Sequence, residues 1–207
     1  MSSDTAGFAD LVDPRHTMVL VIDMMPLFTE KEWEPGTDQV IAASLAFIEA
    51  ARANDVPITF IRHTITDADW TPVWQRKWPV AIKEMYRPGG IANDFDHRFR
   101  PHPGDLEIVK ARYSAFVGTT LAARLRERGI QTVIALGLVT DICVSSTIRD
   151  AFHNEFDTVT LSDCTAAQTL ARHEAALAAL ADCFGSVCPA DAVVAAWRGA
   201  VVAAGAH

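Results

Sequence analysis

Apolar and polar positions along this chain alternate between two kinds of stretch. Thr17–Asp23 (TMVLVID) is a continuous apolar run closed by a carboxylate, the pattern of a central strand in a parallel sheet. Pro57–His63 (PITFIRH), Asp105–Lys110 (DLEIVK), Thr132–Leu136 and Thr158–Leu161 read as further strands, and Phe184–Val187 as an edge strand. Between them the spacing of Val40, Ile41, Leu45 and Ile48 predicts a helix over Thr37–Asn54. Thr119–Arg128 reads as an amphipathic helix stopped by Gly129, and Leu170–Ala181 as another. Pro189 is placed to open a last helix, Ala190 to about Val202. Strand and helix in turn predict an α/β fold, with a parallel sheet covered by helices on both faces in a three-layer αβα arrangement.

One segment breaks the pattern. Residues 64–103 hold Trp70, Trp74 and Trp78 among several prolines, glycines and charges, too long for an ordinary connector. Loops of that length carry function more often than short ones. The three tryptophans recur at i, i+4 and i+8, the spacing of one helix face, which fits a packing stripe, a subunit interface or a hydrophobic lid over the active site. There is no internal repeat and no domain boundary, so the expectation is one domain over 1–207 carrying a Trp-rich insert at about 64–103.

Charge narrows the choice of partner. Eighteen basic against twenty-six acidic residues give a net charge of −8, with no basic stripe, which argues against nucleic acid and anionic membranes. No apolar run approaches the ~20 residues that span a bilayer, and the polar, acidic start lacks the shape of a signal peptide. Cys143, Cys164, Cys183 and Cys188 show no CxxC or metal-finger spacing. A reduced, cytoplasmic protein is expected.

The organising stretch is Gln131–Asp150 (QTVIALGLVTDICVSSTIRD). Its apolar strand is broken by Gly137, a short turn follows, and Cys143 sits where a helix running to about His153 begins. Free N–H groups and the dipole at a helix start favour a thiolate and can hold an oxyanion. Ligands in open parallel sheets bind beyond the carboxyl ends of the strands, and those ends here deliver Asp23, Lys110 and Cys143. Each alone has an ordinary explanation: Asp23 bonding backbone, Lys110 a solvated charge, Cys143 packing. Together they suit covalent catalysis, with Cys143 attacking a carbonyl, Asp23 carrying the proton and Lys110 holding the negative charges. His63 ends a strand but has no obvious catalytic place, and no GxGxxG follows the first strand to suggest a dinucleotide site.

Three blocks then resemble a known family. VIDMM (Val21–Met25), VKARYSAF (Val109–Phe116) and GLVTDICVSSTIRDA (Gly137–Ala151) are similar to the isochorismatase-like cysteine hydrolases, with order and spacing intact from about Met18 to Val187. The resemblance implies a six-stranded parallel sheet ordered 3-2-1-4-5-6, assembly as homodimers or homotetramers, and Asp23, Lys110 and Cys143 as the catalytic set. It also implies a cis peptide between Leu138 and Val139, with the N–H groups of Val139 and Cys143 forming the oxyanion hole. A cysteine is absent from isochorismatases proper, which cleave a vinyl ether. The expected activity is therefore hydrolysis of an amide or carbamoyl C–N bond of a small molecule through a thioester. A vinyl-ether hydrolase and a non-catalytic binding module stay open as alternatives.

Departures from the family shape the pocket. The metal-binding Asp and paired His of nicotinamidases are missing from RHTITDADW, and His63, Asp67 and Asp69 are no convincing ligand set, so neither a metal nor another cofactor is expected. Met24-Met25-Pro26-Leu27-Phe28 replaces the usual Gln-Asn after the aspartate, making that end of the pocket apolar. Phe28, Phe116, Leu138, Trp70 and Trp74 would bind an aromatic or unsaturated acyl group, and Arg62, Arg87 or Arg112 a carboxylate.

Overall fold

The computed structural model describes residues 2–90 and 93–204. Its strands are β1 (Thr17–Ile22), β2 (Ile58–His63), β3 (Leu106–Lys110), β4 (Thr132–Leu138), β5 (Asp157–Ala166) and β6 (Ser186–Cys188). They form one sheet ordered β3-β2-β1-β4-β5-β6, with every pairing parallel. β1 and β4 are buried along their whole length because helices cover both faces, which is why they read as unbroken apolar runs. β3 lies at an edge and alternates instead, burying Leu106, Ile108 and Lys110.

The helices are α1 (Ser2–Leu11), α2 (Pro26–Thr29), α3 (Thr37–Ala53), α4 (Pro72–Lys77), α5 (Val80–Met85), α6 (Leu121–Glu127), α7 (Ser145–His153), α8 (Leu170–Cys183) and α9 (Ala190–Ala204). One core gathers Val19 and Val21 of β1 with Val40, Phe47 and Ile48 of α3 and Trp197 of α9. The Trp197 indole N–H donates to the Val12 carbonyl at 2.7 Å, so the largest buried ring leaves no polar atom unsatisfied. The other core joins Met18, Leu20 and Ile22 to Leu121 and Leu125 of α6, Ile148 of α7 and Leu180 of α8. The three layers expected from the sequence are present.

Several local expectations are corrected. Gly137 does not end its strand. β4 runs on to Leu138, and Gly137 sits inside it at φ +122°, where a Cβ would lie 2.0 Å from the Ile22 carbonyl oxygen. The glycine is there for close backbone approach, not for a turn. β5 also extends to Ala166, because a register shift between Ala135 and Gly137 lets the polar stretch after Leu161 rejoin the sheet. The tryptophans do not share one helix face. Pro72 opens α4 and Pro79 holds Trp78 in extended backbone (ψ 139°), so the helix covers only Pro72–Lys77 and Trp70 precedes it. Ser2–Leu11 is a helix that the polar N-terminal sequence gave no reason to expect. No helix of the described residues is long and apolar enough to cross a membrane.

Candidate active site

The register of the sheet brings four strand ends level. Ile22 pairs with Ile61 and with Gly137, and His63 pairs with Lys110. Adjacent strands therefore present Lys110 (β3), His63 (β2), Asp23 (just past β1) and the turn into Cys143 (past β4) along one edge. The order of connections reverses between β1 and β4, which is where open α/β sheets bind ligands.

Asp23 is turned into the site by its backbone. It has φ +53°, a left-handed conformation sparsely used by residues with a Cβ, while its N–H donates to the Ile61 carbonyl at 2.8 Å. Lys110 Nζ donates to Asp23 Oδ2 at 2.7 Å, and both side chains are wholly enclosed. Asp23 Oδ1 has no hydrogen-bond partner. Ligand atoms of Asp23, His63 and Cys143 all lie within 4.8 Å of one another. The residues themselves are buried to 0, 0 and 2% exposure.

Burial sets the charge states, with neighbours opposing or aiding it. It raises the Asp23 carboxyl above its ordinary value while Lys110 pulls it down. Burial disfavours the charged Lys110, yet the neighbouring Asp23 carboxylate opposes it, and the net effect favours the ammonium. Burial pushes the Cys143 thiol far up, against Lys110 and with Asp23. It therefore works against the thiolate that a helix start would favour. The helical turn begins at Thr140, as a wide π-type turn, so Cys143 is its fourth residue and not its first.

The remaining candidates fall into groups. The Leu138–Val139 peptide is cis, as the resemblance implies, and both residues are buried. Phe28 is buried against Trp33 and Tyr86, with ring centroids 6.3 and 6.2 Å away. Trp74 stands over the site, 6.1 Å from His63 and 5.3 Å from Tyr113, with the Arg112 guanidinium 5.3 Å from its ring. Trp70 touches only the outer side of this group, 6.5 Å from Trp74. Arg62 turns away, toward the Asn93 carbonyl (3.4 Å) and the Phe95 ring (6.0 Å), and Phe116 packs on Phe156. Among the described residues Arg62 makes no hydrogen bond to Asp23, Lys110 or Cys143, while Phe116 packs against the core cluster that contains Cys143.

The structure adds His63, Tyr86 and Tyr113 to the side chains gathered at this edge. His63 is enclosed between the catalytic candidates and Tyr86, whose ring lies 4.4 Å from its own. A polar residue ending a buried strand beside Lys110 was a usable signal. Tyr86 had none, since it arrives from the middle of the insert. The other imagined metal ligands are engaged elsewhere: Asp67 pairs with Lys83, and Asp69 accepts from the Thr66 N–H at 3.0 Å. A cation placed among Asp23, His63 and Cys143 would face the Lys110 ammonium, and that repulsion disfavours a metal there.

Comparison with known proteins bears on this arrangement. The family profile described as Isochorismatase domain matches residues 17–192. The chain belongs to the isochorismatase family. A ureidoacrylate amidohydrolase, RutB, of Methylobacterium radiotolerans is 31% identical over 199 residues, covering 85% of this chain and 77% of the relative. A cysteine hydrolase from Pseudomonas syringae pv. phaseolicola superposes with a TM-score of 0.82 at 27% identity, over 91% of this chain and 95% of that one. N-carbamoylsarcosine amidase from Thermoplasma acidophilum shares the fold, with a TM-score of 0.72 at 24% identity over 84% and 96% of the two chains. The six-stranded parallel sheet described above is thus the fold that this chain shares with those solved structures.

A groove of about 570 Å³ lies beside the site, lined by Trp74, Trp78, Arg112, Tyr113, Ser146 and Arg149 among others. It stops short of Cys143. Trp74 and Tyr113 line it on one side and pack against His63 on the other, so they separate groove from thiol.

Proposed function

We propose that this chain is a cysteine amidohydrolase that cleaves an amide or carbamoyl C–N bond of a small molecule. The observation that carries the reading is the enclosed Lys110–Asp23 pair with Asp23 Oδ1 left unpaired beside a buried thiol. Burying two charges costs several kcal/mol per ion before their attraction repays it. A pair kept at that cost next to a nucleophile is explained by chemistry more readily than by stability. The Methylobacterium relative, named an amidohydrolase, supports the same reaction class.

The steps follow from the geometry. Asp23 Oδ1 takes the proton of Cys143 as Sγ attacks the carbonyl carbon, and Lys110, fixed on Oδ2, offsets the negative charge in the site. The carbonyl oxygen gathers charge and is held by the N–H groups of Val139 and Cys143, an interaction worth about 3–4 kcal/mol per donor in the transition state. Asp23 returns the proton to the leaving nitrogen, the C–N bond breaks, and a thioester remains. Water attacks the thioester carbon as Asp23 takes its proton, the C–S bond breaks to release the acid, and Asp23 passes the proton to sulfur so that the thiol is restored. Substrate coming from the groove reaches Sγ by displacing Trp74 or Tyr113, and Arg112 at that gate suits an anionic substrate. The reading takes the protein as a cytoplasmic homodimer or homotetramer whose four thiols stay reduced, consistent with four free cysteines.

Ammonia release from a panel of small amides, ureas and carbamoyl acids tests this. Wild type should turn over at least one member, and Cys143→Ala should lose about 10⁴-fold or more while keeping its far-UV spectrum. Undiminished turnover by Cys143→Ala would overturn the thioester route. Activity confined to enol ethers and indifferent to the thiol would favour a vinyl-ether hydrolase with Asp23 as acid.

A further inference from the structure

The mechanism above leaves His63 without a task. Its side chain is fully buried at the end of β2, between the strand ends that carry Lys110 and Asp23, and neither ring nitrogen has a hydrogen-bond partner. The backbone of Ala111 is near enough to bias the ring but lies outside hydrogen-bond geometry. One ring nitrogen is within 4.8 Å of both the Cys143 sulfur and an Asp23 oxygen. Tyr86 packs against the ring at 4.4 Å, and Trp74 and Tyr113 meet it edge-on at 6.1 and 6.2 Å. Every apolar side of the ring is covered, and the polar atoms are the ones left over.

That is a costly way to fill space. A buried donor or acceptor without a partner costs about 1–3 kcal/mol, and a phenyl ring of similar shape would avoid it. Sites that keep such groups unpaired discriminate strongly for a ligand that pairs them. A role as base is the competing explanation. Burial, aided by the charges of Lys110 and Arg112, holds the imidazole well below its ordinary value, so it stays neutral near pH 7. A neutral ring still offers one N–H and one lone pair.

We propose that His63 is a specificity-determining residue that accepts a hydrogen bond from the N–H of the scissile amide or ureido nitrogen. This rests on the amidohydrolase reading. In the tetrahedral adduct that nitrogen must turn its lone pair toward the proton on Asp23. An N–H held by His63 on the neighbouring strand fixes that orientation, with Lys110 and Asp23 to either side. The substrates are then amides or ureides that carry hydrogen on the nitrogen of the bond that breaks, and N-alkylated counterparts are rejected.

N-benzoylglycine and N-benzoylsarcosine each have a single nitrogen on the carbonyl, differ by one methyl at that nitrogen, and make a matched pair. Wild type should prefer the N–H compound by about 100-fold or more in kcat/KM. His63→Phe should reduce that ratio to below about 5-fold, and His63→Asn, which restores an acceptor, should recover part of it. The melting temperature of His63→Phe should equal or exceed that of wild type, because two unsatisfied nitrogens are gone. A ratio that survives in His63→Phe overturns the proposal. So does a shift in the pH dependence of Cys143 alkylation by iodoacetamide, which would make His63 the base. A wild type without Cys143-dependent turnover would sink the amidohydrolase reading instead. His63 is then judged by calorimetric binding of the same pair to Cys143→Ala with and without His63→Phe. Loss of the N–H preference in the double variant supports the assignment, and equal binding of the pair, or binding of neither, refutes it.

Discussion

Lys110 shows how one residue's setting decides its chemistry. In DLEIVK the alternation puts Lys110 on the same side as Leu106 and Ile108, and the structure buries all three. A buried ammonium needs a partner, and Asp23 is the one within reach. Removing it leaves a carboxylate enclosed without compensation. Lys110→Met should therefore unfold more easily than wild type, by about 3–5 kcal/mol in urea titration at pH 8. A loss under 1 kcal/mol would mean that Asp23 is neutral in the fold. The same pair shapes the pH profile. In the proposed mechanism Asp23 is ionised when it takes the thiol proton, and burial raises its carboxyl. Activity should then fall, as pH drops, along an acid limb that starts above the ordinary carboxylate value of about 4. Alkylation of Cys143 should follow the same limb, since the two groups titrate as a pair.

Elements carry the next level. β4 has to lie against β1 closely enough for the Val139 turn to meet Asp23, and Gly137 is where the backbones touch. A methyl group there strikes the Ile22 carbonyl and has to adopt positive φ as well. Gly137→Ala should cost on the order of 3 kcal/mol and abolish turnover, read by thermal melting and by the ammonia assay. Normal stability with normal activity would show that the strands can separate freely. The insert contributes through α4 and α5, two short helices whose ends are set by Pro72 and Pro79. They bring Trp74 and Tyr86 over His63 although the tryptophan spacing suggests a longer helix. Periodicity alone could not reveal this, because proline geometry overrode it.

At the scale of the molecule, the insert is tied back to the catalytic edge by Asp96. Its N–H donates to the Met24 carbonyl at 3.0 Å, Thr29 Oγ1 donates to Oδ2 at 2.6 Å, and Arg98 donates to both oxygens at 2.9 and 2.7 Å. Arg98 above all, with Thr29, holds this carboxyl well below its ordinary range despite burial. A depressed value means stability that is present above the unfolded-state value of about 4 and lost as pH falls below it. Asp96→Asn should cost about 1–2 kcal/mol at pH 7, with the gap from wild type closing below pH 4. A gap unchanged between pH 7 and pH 3 would assign the cost to packing instead.

The sequence by itself determined the strands, most of the helices, and the three residues at the strand ends. Burial on both faces leaves apolar runs that no other arrangement explains, and reactive groups closing such runs have one edge of the sheet to occupy. The segment 64–103 was visible as an exception without its shape. Only the tertiary structure decided which side chains meet. The level register of β3, β2, β1 and β4 brought His63 between Lys110 and Asp23, and the insert folded Tyr86 onto its ring. Those contacts join residues far apart in the chain, and a local pattern of hydrophobicity holds no record of them. The electrostatic setting came from the same source, because burial is a property of the assembled core: it pushes up a thiol whose place near a helix start would by itself favour the thiolate.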